Sequence, residues 1–272
     1  FLIKVIKKFS IDLLITTVDS EILLIAKYKN YIEKETSAIV FVDNYKSVEI
    51  CDDKFLTHQF LKKNNFPQLK TSLLNQIPKE NLLRDYKFPL IIKSRKGRGA
   101  QEIFVAKKYL DMEHLLGDDN FIIQEYINSD NKEYTAGVYT SDDQKIQLCC
   151  IFESQRINGT TIVAKRIINK DIENQLFKIA KKIKMKYINI QFFYIDSKVV
   201  TFEFNGRLNG TIFIISKVFN IIELFIKERI MKKNINPIVS DNVFIAMRYY
   251  EEIYADPTQI DDLNNRTDGL FS

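Results

Sequence analysis

The sequence predicts an α/β (α+β) fold, a parallel unit first and antiparallel strands after it, and three observations lead there. Residues 1–50 alternate helical and strand patterns, the signature of parallel pairing. EYTAGVYT and KIQLCCIFESQRI read as long antiparallel strands around the turn Ser141-Asp142-Asp143. YINIQFFYI and VVTFEFNGRLNGT alternate polar and apolar residues across the short link Asp196-Ser197-Lys198, which reads as a hairpin.

Each element follows from local pattern. FLIKVIKKF places Leu2, Val5, Ile6 and Phe9 on one helical face. A strand over Ile11–Thr17, a helix over Ser20–Lys34 and a strand over Ser37–Val42 complete the first unit. The chain opens inside a helix–strand unit, so a preceding strand and helix are expected. Asp52 or Asp53 caps a helix carrying Phe55, Leu56, Phe60 and Leu61 that stops before Pro67. A short helix covers Lys79–Asp85. FPLIIKSRKGRGAQEIFVA reads strand, glycine loop, strand; YLDMEHLLG reads as a helix ending near Gly117; FIIQEYI is a strand. In DIENQLFKIAKKIKM, Ile172, Leu176, Ile179, Ala180 and Ile183 share one helical face. Apolar helical stretches at about 211–219 and 221–231 precede a last strand, VFIAMRYYEEIY, and a polar tail after Asp256.

Composition narrows the function. The chain has 272 residues, is 46% hydrophobic and 28% charged, and suits one large domain or two to three small lobes. Its net charge of +5 is spread out, so it reads as solvated surface and not as a nucleic-acid footprint. Cys51, Cys149 and Cys150 have no metal-ligand spacing and read as reduced thiols of a cytoplasmic protein. His58 and His114 are too few for a histidine-based metal site. No apolar run approaches the roughly 18 residues of a membrane span.

The hairpin carries the first chemical reading. With a three-residue loop, Gln191 lies opposite Glu203 and Asn189 opposite Asn205, on one face with Arg207 nearby. Phe192, Ile190, Phe202 and Phe204 then point into a core. A half-buried hairpin alternates for structural reasons alone. A solvated face, however, would more usually carry Lys, Thr and Glu than two Asn and a Gln. Gln, Glu and Asn oxygens beside an Arg suit a hard cation and its phosphates. Lys93 ends a strand before Gly97 and Gly99, whose backbone can approach phosphate oxygens. In FIIQEYI, strand backbone can meet an adenine edge while Tyr126 or Ile127 packs on the ring. Glu133 can accept from ribose hydroxyls.

In order, these pieces resemble the ATP-grasp superfamily, most closely its carbamoyl-phosphate-synthase-like carboxylate–amine ligases, from about Ile11 to about Tyr254. The resemblance implies a partial pre-ATP-grasp domain over 1–50, a first lobe over 51–120, a second lobe over 121–256 and a tail over 257–272, with nucleotide held between the lobes. It implies that Lys54 and Lys93 contact ATP phosphates and that Gly97 and Gly99 belong to a closing loop. Gln124, Glu125, Tyr126 and Ile127 would hold adenine, and Glu133 ribose. Gln191, Glu203 and Asn205 would bind magnesium, with Glu203 bridging two ions and manganese an alternative. Arg207, assisted by Lys93, would steady the transferred phosphoryl group, and Arg156 and Lys165 would lie near the phosphates. Three departures stand out: Ser94 and Gly206 replace prolines, and Glu102 sits near a glycine position. The implied partners are a small carboxylate and a small amine, with no nucleic acid and no membrane; a homo-oligomer is compatible. The rival readings are a non-catalytic ATP-binding or regulatory domain and a structural α/β interaction module.

Overall fold

The computed structural model describes residues 1–96, 103–128, 131–157 and 159–249. The expected phosphate loop with Gly97 and Gly99, Glu102 and the polar tail lie outside the described residues. α1 (Leu2–Phe9), β1 (Leu13–Ile15), α2 (Asp19–Glu35) and β2 (Ile39–Phe41) form the opening unit, and β1 and β2 pair in parallel. On α1 only Ile6 is buried, whereas Phe9 is exposed, so the expected apolar face is narrower than its pattern.

α3 (Tyr45–Asp52) was not legible as a helix; Asn44 caps it by accepting from the Ser47 N–H at 3.0 Å. α4 (Lys54–Lys63) follows, capped by Asp53 and not Asp52, through the N–H groups of Phe55 (2.9 Å) and Leu56 (3.2 Å). β3 (Thr71–Leu73), α5 (Lys79–Asp85), β4 (Leu90–Ser94), β5 (Ile103–Ala106) and β6 (Phe121–Glu125) build the first lobe. Its antiparallel sheet runs β3-β6-β4-β5. This sheet takes in β6, so it extends past the expected division at residue 120. The helix expected in YLDMEHLLG is two 3₁₀ turns, because the Asp111 carboxylate accepts from the N–H groups of Lys107 and Lys108 and tightens the chain.

The second lobe is a six-stranded antiparallel sheet in the order β11-β10-β7-β8-β9-β12. Its strands are β7 (Glu133–Thr140), β8 (Gln147–Ile157), β9 (Thr160–Ile167), β10 (Tyr187–Ile195), β11 (Lys198–Asn205) and β12 (Ile245–Met247). β9 went unread in the sequence. α6 (Lys170–Ile183) buries all five predicted residues against the sheet and the opening unit. α7 (Ile212–Ile215) and α8 (Ile221–Phe225), which runs on into a π turn, pack on its other end. Leu69 and Ile127 from the first lobe meet Phe193 and Phe202 from the second, and Pro67 O accepts from Thr201 N at 3.2 Å. Most of the predicted site residues gather along this seam.

Candidate functional site: a seam of cations around Glu203

The β10–β11 hairpin has the expected pairs, Asn189 with Asn205 and Gln191 with Glu203. It reaches them differently. The turn has two residues, Asp196 and Ser197, both with positive φ, as a tight hairpin turn requires. A bulge between Gln191 and Phe192 then leaves Phe202 without a partner and restores the register. Phe202 is buried as expected, but in a separate small cluster with Leu69 and Phe193 and not beside Phe192, Ile190 and Phe204. It turns to the seam, where Lys93 Nζ lies 5.7 Å and the Arg156 guanidinium 5.5 Å from its ring.

Glu203 is half-buried and makes no hydrogen bond or ion pair among the described residues. It borders two cavities. One, of about 350 Å³, also touches Asp19, Lys54, Lys96, Asn205 and Arg207. The other, of about 220 Å³, touches Thr135, Arg156, Gln191, Asn205, Arg207 and Arg248. Asn189, which shares the predicted polar face, is fully buried and structural. Its amide donates to Thr135 Oγ1 at 2.8 Å and Ala136 O at 3.1 Å, and its oxygen accepts from Asn205 at 3.3 Å. That bond orients the Asn205 amide nitrogen inward and leaves its oxygen to ligate a metal. The donor set is Glu203, Gln191 and Asn205, all hard oxygen ligands, and it fits magnesium provided phosphates complete the shell. No cluster of three His, Cys, Asp or Glu exists among the described residues, so the protein alone does not build a closed cage.

The cations divide into two kinds. Lys93 is buried on β4 and donates to Gln124 Oε1 at 2.9 Å, while Gln124 donates to Thr71 Oγ1 at 2.8 Å. Burial pulls its pKa down to about 8; the Glu203 charge opposes the fall, and Lys54 and Arg156 add to it. Lys54 opens α4 beside the larger cavity. Arg156 bridges Glu133 and Gln191, with Nε to Glu133 Oε2 at 2.8 Å. Arg207 holds Asp19 of α2 through two parallel bonds, one of them 2.5 Å. Lys165 is exposed on β9 and borders neither cavity. β6 is an interior strand, so the sheet ladders take up the backbone of Gln124 and Glu125; only Tyr126 and Ile127 follow it beyond the ladder. Gly206 has a packing reason. A Cβ there would lie 2.9 Å from Met185 Cε and 3.2 Å from Cys51 Cβ. Asp19, Thr135 and Arg248 are not marked as site residues by anything in their local patterns.

Two antiparallel sheets meet over a seam where Lys and Arg side chains surround Glu203, the arrangement of an ATP-grasp fold. A family model described as the RimK-like ATP-grasp domain matches residues 51–221, more than half of the chain, and the chain belongs to that family. It is 22% identical over 208 residues to the carbamoyl-phosphate synthase of Methanobrevibacter smithii, covering 71% of this chain and 56% of that relative. It is similar in structure to a biotin carboxylase–β,γ-ATP complex from Campylobacter jejuni, with a TM-score of 0.69, 15% identity, and 83% of this chain and 56% of that one covered. A 2-oxoglutarate carboxylase biotin carboxylase domain from Hydrogenobacter thermophilus, crystallised with MgADP, gives a TM-score of 0.61 at 14% identity, covering 76% and 50%. At these identities the solved structures share the fold. The chain spans about half the length of the proteins it matches.

Proposed function

We propose that the chain is an ATP- and magnesium-dependent ligase that joins a carboxylate to an amine through an acyl phosphate. The observation that carries this reading is Glu203, a carboxylate with no hydrogen bond or ion pair among the described residues, where two cavities meet, between Gln191 and Asn205 and facing the seam cations. Magnesium held by Gln191, Glu203 and Asn205 would supply charge neutralisation for the phosphates.

The chain's own residues supply the rest. Lys54 and Lys93 contact phosphates. Tyr126 and Ile127 take the adenine, with Gln124 and Glu125 holding the strand beneath it. Glu133 accepts from ribose once Arg156 lets it go, and Gln191, Glu203 and Asn205 hold the ion. The substrate carboxylate oxygen attacks the γ-phosphorus and ADP leaves. The amine then attacks the acyl carbon, loses a proton, and phosphate leaves. Arg207 steadies the transferred phosphoryl group. Positioning and charge neutralisation suffice for such chemistry, which suits a seam without histidine.

Calorimetric titration of a non-hydrolysable ATP analogue, with and without magnesium, tests the reading, followed by turnover across a panel of carboxylates and amines. Magnesium-dependent binding with turnover supports it. Binding without turnover would favour a regulatory ATP-binding domain. An unchanged melting curve would favour a structural module, because ligand at ~100 times its dissociation constant adds about 2.7 kcal/mol.

A further inference from the structure

Arg207 also borders a third cavity, of about 90 Å³, whose lining does not include Glu203. Its polar lining includes Thr16, Lys29 and Asp43 from the opening unit and Lys186, Tyr187 and Arg207 from the second lobe. Thr16 and Asp43 follow β1 and β2, so the cavity lies at the carboxyl ends of two parallel strands, where open α/β sheets present ligands.

Two features show that this cavity is built for a ligand. Thr16 Oγ1 and Tyr187 OH are buried, at 4% and 2% residue exposure, and neither has a hydrogen-bond partner among the described residues. Native proteins rarely leave such groups unsatisfied. Lys29 and Asp43 carry opposite charges into one space without bonding to each other. Lys29 Nζ donates to Val42 O at 2.6 Å, which leaves two of its protons for other acceptors. Asp43 accepts only from backbone, from Lys186 N at 2.9 Å and Tyr187 N at 3.5 Å. Burial lowers the Lys29 pKa against the charges of Glu33 and Asp43, and raises that of Asp43 against the charges of Lys29 and Lys186, so on both groups the loss of water outweighs the neighbouring charge. The other cations are matched: Lys186 by Asp142 and Glu228, Arg229 by Asp142, and Arg207 by Asp19.

We propose that this cavity binds a small α-amino acid, with its ammonium on Asp43, its carboxylate on Lys29, and the Thr16 and Tyr187 hydroxyls completing the shell. A simple anion would satisfy Lys29 and meet the Asp43 charge. A simple amine would satisfy Asp43 and meet Lys29. Only a zwitterion pairs both and leaves the net charge unchanged. The volume holds roughly six waters, the size of glycine or alanine. The inference stands without the ligase reading; where that reading holds, the ligand is the amine-bearing partner placed against Arg207.

Glycine, L-alanine, acetate and ethylamine are titrated calorimetrically into the full chain without nucleotide. Glycine or alanine should bind about tenfold or more tighter than acetate and ethylamine, because each of those leaves one buried charge unpaired. Tyr187→Phe and Thr16→Val should each weaken amino-acid binding about three- to tenfold. Their melting temperatures should hold or rise, since each removes a hydroxyl that is unsatisfied in the empty protein. Lys29→Met should abolish binding. No binding of glycine or alanine, equal binding of acetate, or unchanged affinity in Tyr187→Phe and Thr16→Val overturns the proposal. Magnesium–nucleotide affinity is measured on the same proteins. Amino-acid binding without nucleotide binding would sink the ligase reading alone; nucleotide binding without amino-acid binding would sink this one alone.

Discussion

The two lobes hold their cations in opposite ways. In the first lobe, Lys93 is sunk in the sheet and bonded to a neutral amide, with Gln124 and Thr71 behind it. In the second, Arg156 and Arg207 lie on carboxylates, Glu133 and Asp19, nearer solvent. The first arrangement is fixed whether or not a ligand is present, and folding stability carries its cost. The second is exchangeable: an incoming polyphosphate can take the place of the carboxylates at little net cost. Glu203 stands between the lobes and makes no hydrogen bond or ion pair among the described residues. Substitutions in the first lobe should therefore register in stability and binding together. Those at Glu203 should register chiefly in binding.

Glu203→Gln gives the largest expected effect. It keeps shape and removes the charge that holds a dication. Magnesium–nucleotide binding should weaken and phosphoryl transfer should fall by orders of magnitude, while the melting temperature falls only slightly, because among the described residues Glu203 makes no hydrogen bond or ion pair and only its charge on Lys93 is lost. Equal magnesium-dependent affinity in wild type and variant, read by calorimetry, would contradict the metal role and erase the contrast between the lobes.

Lys93→Met tests the fixed side. The folded pKa of about 8 lies below the unfolded value of 10.5. Between them the unfolded chain holds a proton that the folded chain has released, so wild-type stability should rise with pH across that window. The rise should be on the order of 3 kcal/mol relative to Lys93→Met, which lacks the group. Urea unfolding of the nucleotide-free proteins at pH 7 to 10.5 measures it. Parallel curves would mean that Lys93 is solvated and that the first lobe resembles the second.

Much of this was legible in the sequence. Shared parity placed Gln191 opposite Glu203, and the ordered motifs gave the fold. Yet that register was reached through an assumed three-residue loop, whereas the chain uses a two-residue turn and a bulge. Periodicity counts residues and is blind to a bulge, so it puts Phe202 on the same face as Phe204, whereas Phe202 is buried in the separate cluster at the seam. Asp19 and Asp43 were invisible for another reason. Their partners, Arg207 at one and Lys186 and Tyr187 at the other, lie more than 140 positions away. β9 and α3 lack a strong period because each is packed on more than one side.

Asp53→Ala should cost about 2 kcal/mol, combining a lost helix cap with a broken, largely buried pair to Arg95. It also loosens the start of α4, where Lys54 borders the larger cavity. Nucleotide affinity should fall with stability, as the fixed-lobe reading requires. Full affinity at reduced stability, measured by denaturation and titration on the same sample, would separate Lys54 from its cap.

Gly206→Ala is the smallest change and the finest test of the second lobe. Gly206 sits one residue before Arg207, where a Cβ would press on Met185 Cε at 2.9 Å and Cys51 Cβ at 3.2 Å. The methionine end is flexible and can yield; the Cys51 Cβ is fixed on α3 and yields less. A destabilisation of about 1 kcal/mol should follow, by the cost of overpacking a filled site. Arg207 should keep its place, because two bonds to Asp19 hold it from outside the strand. Nucleotide affinity should then stay within about threefold of wild type despite the lower melting temperature. A large loss of affinity at that mild cost would show that the glycine aims Arg207, and that the second lobe is as fixed as the first.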